Sequence, residues 1–227
     1  MLRGVLLDLD DTLIDHHGAV RAALDLWLPE LGVASTSETS ALWDEVQERH
    51  MVAWRERRVS FAEQRRRRLR DFLPQIRIPY EENDLDPIFE GYLRAYESSW
   101  RRFPDVDEAL AALGAAGLTT AVLTNGTVEQ QRAKLAKAGL EGRVGPLFTV
   151  EDLGVAKPSP DAFRLACERI GLEPARVVSV GDRHDLDVLP ARAAGLRAIH
   201  LDRRDAGPHD EPDRLTTLTG LAAALSR

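Results

Sequence analysis

The chain has 227 residues, 37 of them Asp or Glu and 30 Lys or Arg, for a formal net charge of −7. That length buries a sizeable core and fits one domain with an insertion, and the acidic balance excludes the basic footprint that non-specific nucleic-acid binding needs. The lone cysteine, Cys167, excludes an internal disulfide and points to a reducing, cytoplasmic setting; no apolar run reaches the roughly 18 residues of a membrane span, and no signal peptide is expected before Met1-Leu2-Arg3-Gly4.

Taken from the N-terminus, Val5-Leu6-Leu7 reads as a buried strand that runs into Asp8-Leu9-Asp10-Asp11-Thr12-Leu13. Asp8 and Asp10, two apart, share one face of an extended chain. Two carboxylates aimed at one site repel each other unless a cation or a proton relieves them. The pair therefore predicts a metal ion and carboxylate chemistry, with Asp8 as nucleophile and Asp10 as general acid/base. His16 and His17 follow just beyond.

Residues 18–100 carry apolar positions at helical spacing, first Leu42, Val46, His50 and Ala53, later Phe89, Leu93, Tyr96 and Trp100, with little that resembles a strand. All four tryptophans and all three tyrosines fall in this region. Bulky rings of this kind let a small helical domain build its own core. Arg65-Arg66-Arg67-Arg68 with Arg70 reads as a solvated helix face, because four consecutive residues spread around a helix; attraction of an anionic substrate is the second reading.

From about residue 104 the pattern changes. Residues 118–124, 177–180 and 196–201 read as strands buried on both faces, and 105–116, 128–138, 159–170 and 185–194 as helices between them, with Ser159 capping and Pro160 in the first turn of the third. This alternation predicts a parallel sheet wrapped by helices. Cys167, within the third helix, reads as a buried, inert thiol. Residues 203–213 read as a surface loop before a short C-terminal helix. Ligands of such sheets bind beyond the carboxyl ends of the strands, where Asp8, Thr124 and Asp182 all stand.

Four stretches then combine: Asp8-Leu9-Asp10, Val122-Leu123-Thr124-Asn125-Gly126-Thr127, Lys157-Pro158-Ser159-Pro160-Asp161, and Val177-Val178-Ser179-Val180-Gly181-Asp182 with Asp185 and Asp187 behind it. On these motifs the chain resembles the haloacid dehalogenase-like hydrolase superfamily, in its capped, phosphoglycolate phosphatase-like branch. The resemblance implies an α/β fold: a Rossmann-like, doubly wound parallel sheet forming a core of residues 1–17 and 101–227, with a helical cap domain of residues 18–100 inserted after the first strand. It also implies a phosphatase that needs Mg²⁺ and hydrolyses a small phosphorylated metabolite through an aspartyl-phosphate. Asp8 would attack phosphorus, and Asp10 would protonate the leaving alcohol and then activate water. Lys157 would supply positive charge, Thr124 would donate its hydroxyl to a phosphate oxygen, and the amides of Asn125 and Gly126 would bind phosphate. The metal would be held by Asp182, the Asp8 side chain and the Asp10 main-chain carbonyl, with Asp187 as ligand or support. Asp185 reads instead as an acid at a helix start, and Arg183 and His184 carry no assigned role. Of the alternatives, a 2-haloacid dehalogenase lacks the second aspartate, a sugar phosphomutase keeps both, and a non-catalytic binding protein on the same scaffold is marked by loss of a signature residue; here none is lost.

Overall fold

The computed structural model describes residues 1–225. Strand Gly4–Leu7 (β1) is buried on both faces, as an apolar run without alternation requires. Helices His16–Glu30 (α1), Ser37–Arg55 (α2), Phe61–Phe72 (α3), Leu85–Ser98 (α4) and Val106–Ala115 (α5) follow, then Thr119–Leu123 (β2), Val128–Lys137 (α6), Leu147–Phe148 (β3) and Val150–Leu153 (α7). The chain continues through Pro160–Arg169 (α8), Val177–Gly181 (β4), Leu189–Ala193 (α9), Arg197–Leu201 (β5), Arg214–Leu215 (β6) and Leu221–Leu225 (α10).

The six strands form one parallel sheet in the order β3-β2-β1-β4-β5-β6. Leu7 at the end of β1 is level with Val122 on one neighbour and Val180 on the other; β2 and β3 are added on one side of β1 and β4 to β6 on the other, so the order of winding, not the strand direction, reverses there. Val5 and Leu7 pack with α5, α6 and α10 on one face, and Leu6 packs with α8 and α9 on the other. Helices on both faces make this a doubly wound α/β fold. The three expected strands of this region are present; β3 and β6, two residues each, are too short to leave an apolar run. The helix expected over 185–194 divides, because residues His184–Val188 form a wider, π-type turn that carries Asp187 into the interior.

The chain splits into two compact units, residues 1–16 with those from 101 onward, and His17–Trp100. The second unit has its own core of Trp27, Trp43, Phe72, Phe89, Tyr92 and Tyr96, with Trp43 and Tyr92 rings 4.5 Å apart. Its arginines do not present one charged face. Arg66 pairs with Asp86, Arg67 with Glu63, and Arg70 with both Glu63 and Glu82. Arg68 departs from the solvated reading: it is buried, with its guanidinium 4.6 Å from the Trp43 ring, a site where cation–π attraction replaces part of the lost hydration. Cys167 is buried, and burial pushes its thiol up to about 11. Among the described residues no helix is long and apolar enough to cross a membrane.

Candidate active site

The carboxyl end of β1 positions the first two acids. The Asp8 amide continues the ladder to the Val180 carbonyl (2.9 Å), after which the chain leaves the sheet. Asp11 then takes φ 60°, a left-handed conformation that Asp tolerates, and its N–H donates to the Ile14 carbonyl at 2.7 Å. This closes a turn with Asp10 at its start.

Asp8, Asp182 and Asp187 converge. Carboxylate oxygens from all three lie within 4.8 Å of one another, contributed by the end of β1, the end of β4 and the wide turn after it. Asp187 is almost fully buried; one of its oxygens accepts from the Arg183 N–H (3.1 Å). A Cβ on Gly181 would land on the Asp187 carboxyl, so the glycine that ends β4 makes the room Asp187 occupies. Asp182 is supported through its main chain: the His200 Nε2 donates to its carbonyl at 2.9 Å. Asp185 stands apart, paired with the Arg183 side chain at the surface, and His184 pairs with Glu211.

One ammonium faces this cluster. Lys157 is buried, with its Nζ 2.7 Å from Asp8 Oδ1 and 2.5 Å from Asp187 Oδ1. Its proton affinity is raised: burial works against the charge, but Asp187 and Asp8 outweigh it. Burial raises Asp8 to about 7, with Asp187 and Asp10 adding to the rise and Lys157 opposing it. Burial and the charges of Asp8, Asp187 and Asp11 also hold Asp182 well above the usual carboxylate range. A set of three converging carboxylates against one ammonium, with two of them resisting ionisation, suits a hard divalent cation bound through oxygen.

Asp10 is in different surroundings. Lys134 Nζ reaches both its oxygens, at 2.6 and 2.8 Å, and Gln131 Nε2 donates to one of them at 3.1 Å. Burial raises its pKa, but the positive charges of Lys134 and His16 prevail and lower it to about 2. Its carboxylate is not part of the three-acid cluster of Asp8, Asp182 and Asp187.

Thr124, directly after β2, is also set by Gln131. Its hydroxyl oxygen accepts from Gln131 Nε2 (2.9 Å) and from the Gly126 N–H (3.3 Å), which directs its single proton toward a third group. Asn125 braces the lysine loop: its side chain donates to the Lys157 carbonyl and accepts from the Lys157 N–H, each at 2.8 Å. Thr127 caps α6 through the Gln130 N–H, leaving the Asn125 and Gly126 main chain at the head of that helix.

All eight residues singled out from the sequence lie in one unit, around the ends of β1, β2 and β4. Three that sequence reasoning passed over are Gln131, Lys134 and His200. Gln131 and Lys134 share the core-facing side of α6 with Leu135. Their i, i+3, i+4 spacing puts them on one face, but with two of the three residues polar it does not mark that face as buried.

A family model described as haloacid dehalogenase-like hydrolase matches residues 2–195. A phosphoserine phosphatase of Thermus thermophilus is 41% identical over 118 residues, which covers 50% of this chain and 47% of that protein, so the match spans about half of each. A phosphoglycolate phosphatase of Escherichia coli is 30% identical over 217 residues, covering 88% of this chain and 81% of the relative. Among solved structures, a putative hydrolase of this family from Bacillus subtilis bound to magnesium superposes with a TM-score of 0.82 at 23% identity, over 100% of this chain and 99% of that one. A dehalogenase superposes with a TM-score of 0.80 at 25% identity, over 100% and 98%.

Proposed function

The chain belongs to the haloacid dehalogenase-like hydrolases, and from that membership we propose that it is a divalent-metal-dependent phosphatase that acts on a small phosphorylated metabolite through an aspartyl-phosphate on Asp8. The observation that carries this reading is the separation of the two aspartates of the first motif. Asp8 lies among acids and beside Lys157, while Asp10 has a buried ammonium and an amide of its own. Two carboxylates whose surroundings push their proton affinities apart are set for different tasks.

In the first half-reaction an Asp8 oxygen forms a bond to phosphorus as the bond from phosphorus to the leaving oxygen breaks; Asp10 gives that oxygen its proton. A phosphate arriving beside Asp10 raises the carboxylate's affinity for the proton it must carry. In the second half-reaction Asp10 takes a proton from water, whose oxygen attacks the phosphorus and frees Asp8. Lys157 offsets charge on the phosphoryl group and on Asp8, the Thr124 hydroxyl donates to a phosphoryl oxygen, and the amides of Asn125 and Gly126 add fixed dipoles. Asp8 and Asp182, with the Asp10 carbonyl and with Asp187 beside them, would hold Mg²⁺, which would supply the positive charge that offsets the acids and the phosphoryl oxygens.

The helical insertion His17–Trp100 is read as the cap that selects the metabolite, and the reducing, cytoplasmic setting fits the buried thiol of Cys167. A haloacid dehalogenase is the second reading, favoured by the solved dehalogenase above, but it leaves Asp10 and its two partners without a task. The test is phosphate release from a panel of phosphorylated metabolites with Mg²⁺ and with EDTA, beside halide release from a 2-haloacid. Mg²⁺-dependent phosphate release supports the proposal. Metal-independent halide release without phosphatase activity replaces it with the dehalogenase reading.

A further inference from the structure

Resting on that reading, we propose that Lys134, acting with Gln131, is the positioning residue of the acid/base Asp10: it fixes the direction of that carboxylate and ties it to the phosphate-binding Thr124. A lysine on a polar helix ordinarily extends its ammonium into water, yet Lys134 is 1% exposed and makes contact with both oxygens of Asp10. Enclosing an ammonium is costly without a partner of opposite charge in good geometry, so Lys134 and Asp10 hold each other in place.

Gln131 extends this into a connected set. Its Nε2 divides its two hydrogens between Asp10 Oδ2 and Thr124 Oγ1, linking the acid/base at the end of β1 to the hydroxyl at the end of β2. Gly126 admits the amide, since a Cβ there would overlap the Gln131 side chain. The order Gly126, Gln131, Lys134 is therefore one device: a glycine leaves room, an amide bridges, and an ammonium anchors. A flexible carboxylate would have to find the leaving oxygen in each turnover; an anchored one is already oriented, and misplacement of about 1 Å can cost on the order of 100-fold in rate.

The test uses the full chain and four forms: wild type, K134M, D10N and the double variant D10N/K134M, with Q131M as a milder fifth in which one link is cut. Folding is checked by circular dichroism and thermal melting. Turnover is measured with Mg²⁺ on the best alkyl phosphate found and on p-nitrophenyl phosphate, whose leaving group needs little protonation. The expected result is a kcat for the alkyl ester lowered about 10- to 100-fold in K134M, within the range of acid–base catalysis, with KM within about 2-fold and a smaller loss on p-nitrophenyl phosphate. D10N/K134M should be no slower than D10N alone, because residues that act as a unit are non-additive. Q131M should change in the same direction by less, and it decides the matter if K134M does not fold.

A folded K134M, or Q131M in its place, with wild-type kcat on the alkyl ester overturns the inference while leaving the phosphatase reading intact. So does a double variant whose losses multiply, or an equal loss on both esters. A wild type that releases no phosphate from any ester overturns the phosphatase reading and this inference with it.

Discussion

Asn125 and Lys157 grip each other main chain to side chain: the Asn125 amide donates to the Lys157 carbonyl and accepts from the Lys157 N–H, both at 2.8 Å. Thirty-two residues apart in sequence, the two bring the loop after β2 to the loop before α8. The ammonium that faces Asp8 and Asp187 is thus aimed by a bond to its own backbone.

Asn125→Ala should therefore weaken both fold and turnover. Two main-chain groups lose their partner, which costs about 1–3 kcal/mol of stability, and Lys157 is no longer held at its post. Chemical denaturation measures the first effect, and a kcat lowered about 10-fold or more, without loss of bound metal, measures the second. A variant with wild-type kcat removes the bracing role.

Asp8→Asn should abolish turnover and at the same time stabilise the metal-free protein. Asp8 in the fold is raised to about 7, above the roughly 3.9 of an unfolded aspartate. The native state thus holds the proton more tightly, and stability falls as pH rises from about 4 to about 7. Asparagine resembles the protonated form and escapes that fall. In EDTA the melting temperature of the variant should exceed that of wild type by a margin that opens over this window; Mg²⁺ should close it. A variant less stable than wild type in EDTA at pH 8 contradicts the repulsion described for the cluster.

Glu211 carries the opposite pH dependence. Arg192 binds both its oxygens and His184 one of them, and these contacts, Arg192 first, lower it to about 2. Its stabilisation is complete above the unfolded value of about 4.3 and is lost as pH falls from there toward 2. Glu211→Gln should cost about 1.5–3 kcal/mol at pH 7, with the difference from wild type shrinking steadily on acidification. Parallel melting curves from pH 7 to pH 3 check this, and a gap that stays constant refutes it.

Gln64→Leu should raise stability. The Gln64 side chain, on α3, is 0% exposed, and neither its oxygen nor its nitrogen has a hydrogen-bond partner. An amide buried in this way costs about 1–3 kcal/mol, which leucine of similar volume removes. Thermal melting decides, and a fall of several degrees would show that the amide is bonded in solution, through water or a ligand.

The sheet and the positions of most residues of the candidate site were legible because parallel strands announce themselves twice, by apolar runs buried on both faces and by polar residues at their carboxyl ends. Asp8, Thr124 and Asp182 each follow such a run. Lys134 and Gln131 were not legible because Val128-Glu129-Gln130-Gln131-Arg132-Ala133-Lys134 has the composition of a solvated helix, and only the distant partner Asp10 makes burial of two polar residues favourable. Arg68 was missed for the same reason in reverse: within a run of arginines its charge suggests solvent, whereas its position on α3 faces Trp43 and Phe89. His200 was hidden within the strand Arg197–Leu201, where its neighbours signal only core.

The fit of the Asp187 carboxyl into the space left by Gly181 also bears on how this chain can change over generations. Any side chain at 181 displaces the acid before it alters the strand, so the two positions are not free to drift one at a time. Loss of Asp187 to a smaller residue is the step that must come first; only afterwards does alanine at 181 become harmless, and its arrival then blocks the return of the acid. The present pair, glycine at 181 and an acid at 187, is therefore one that single substitutions can leave only by way of position 187.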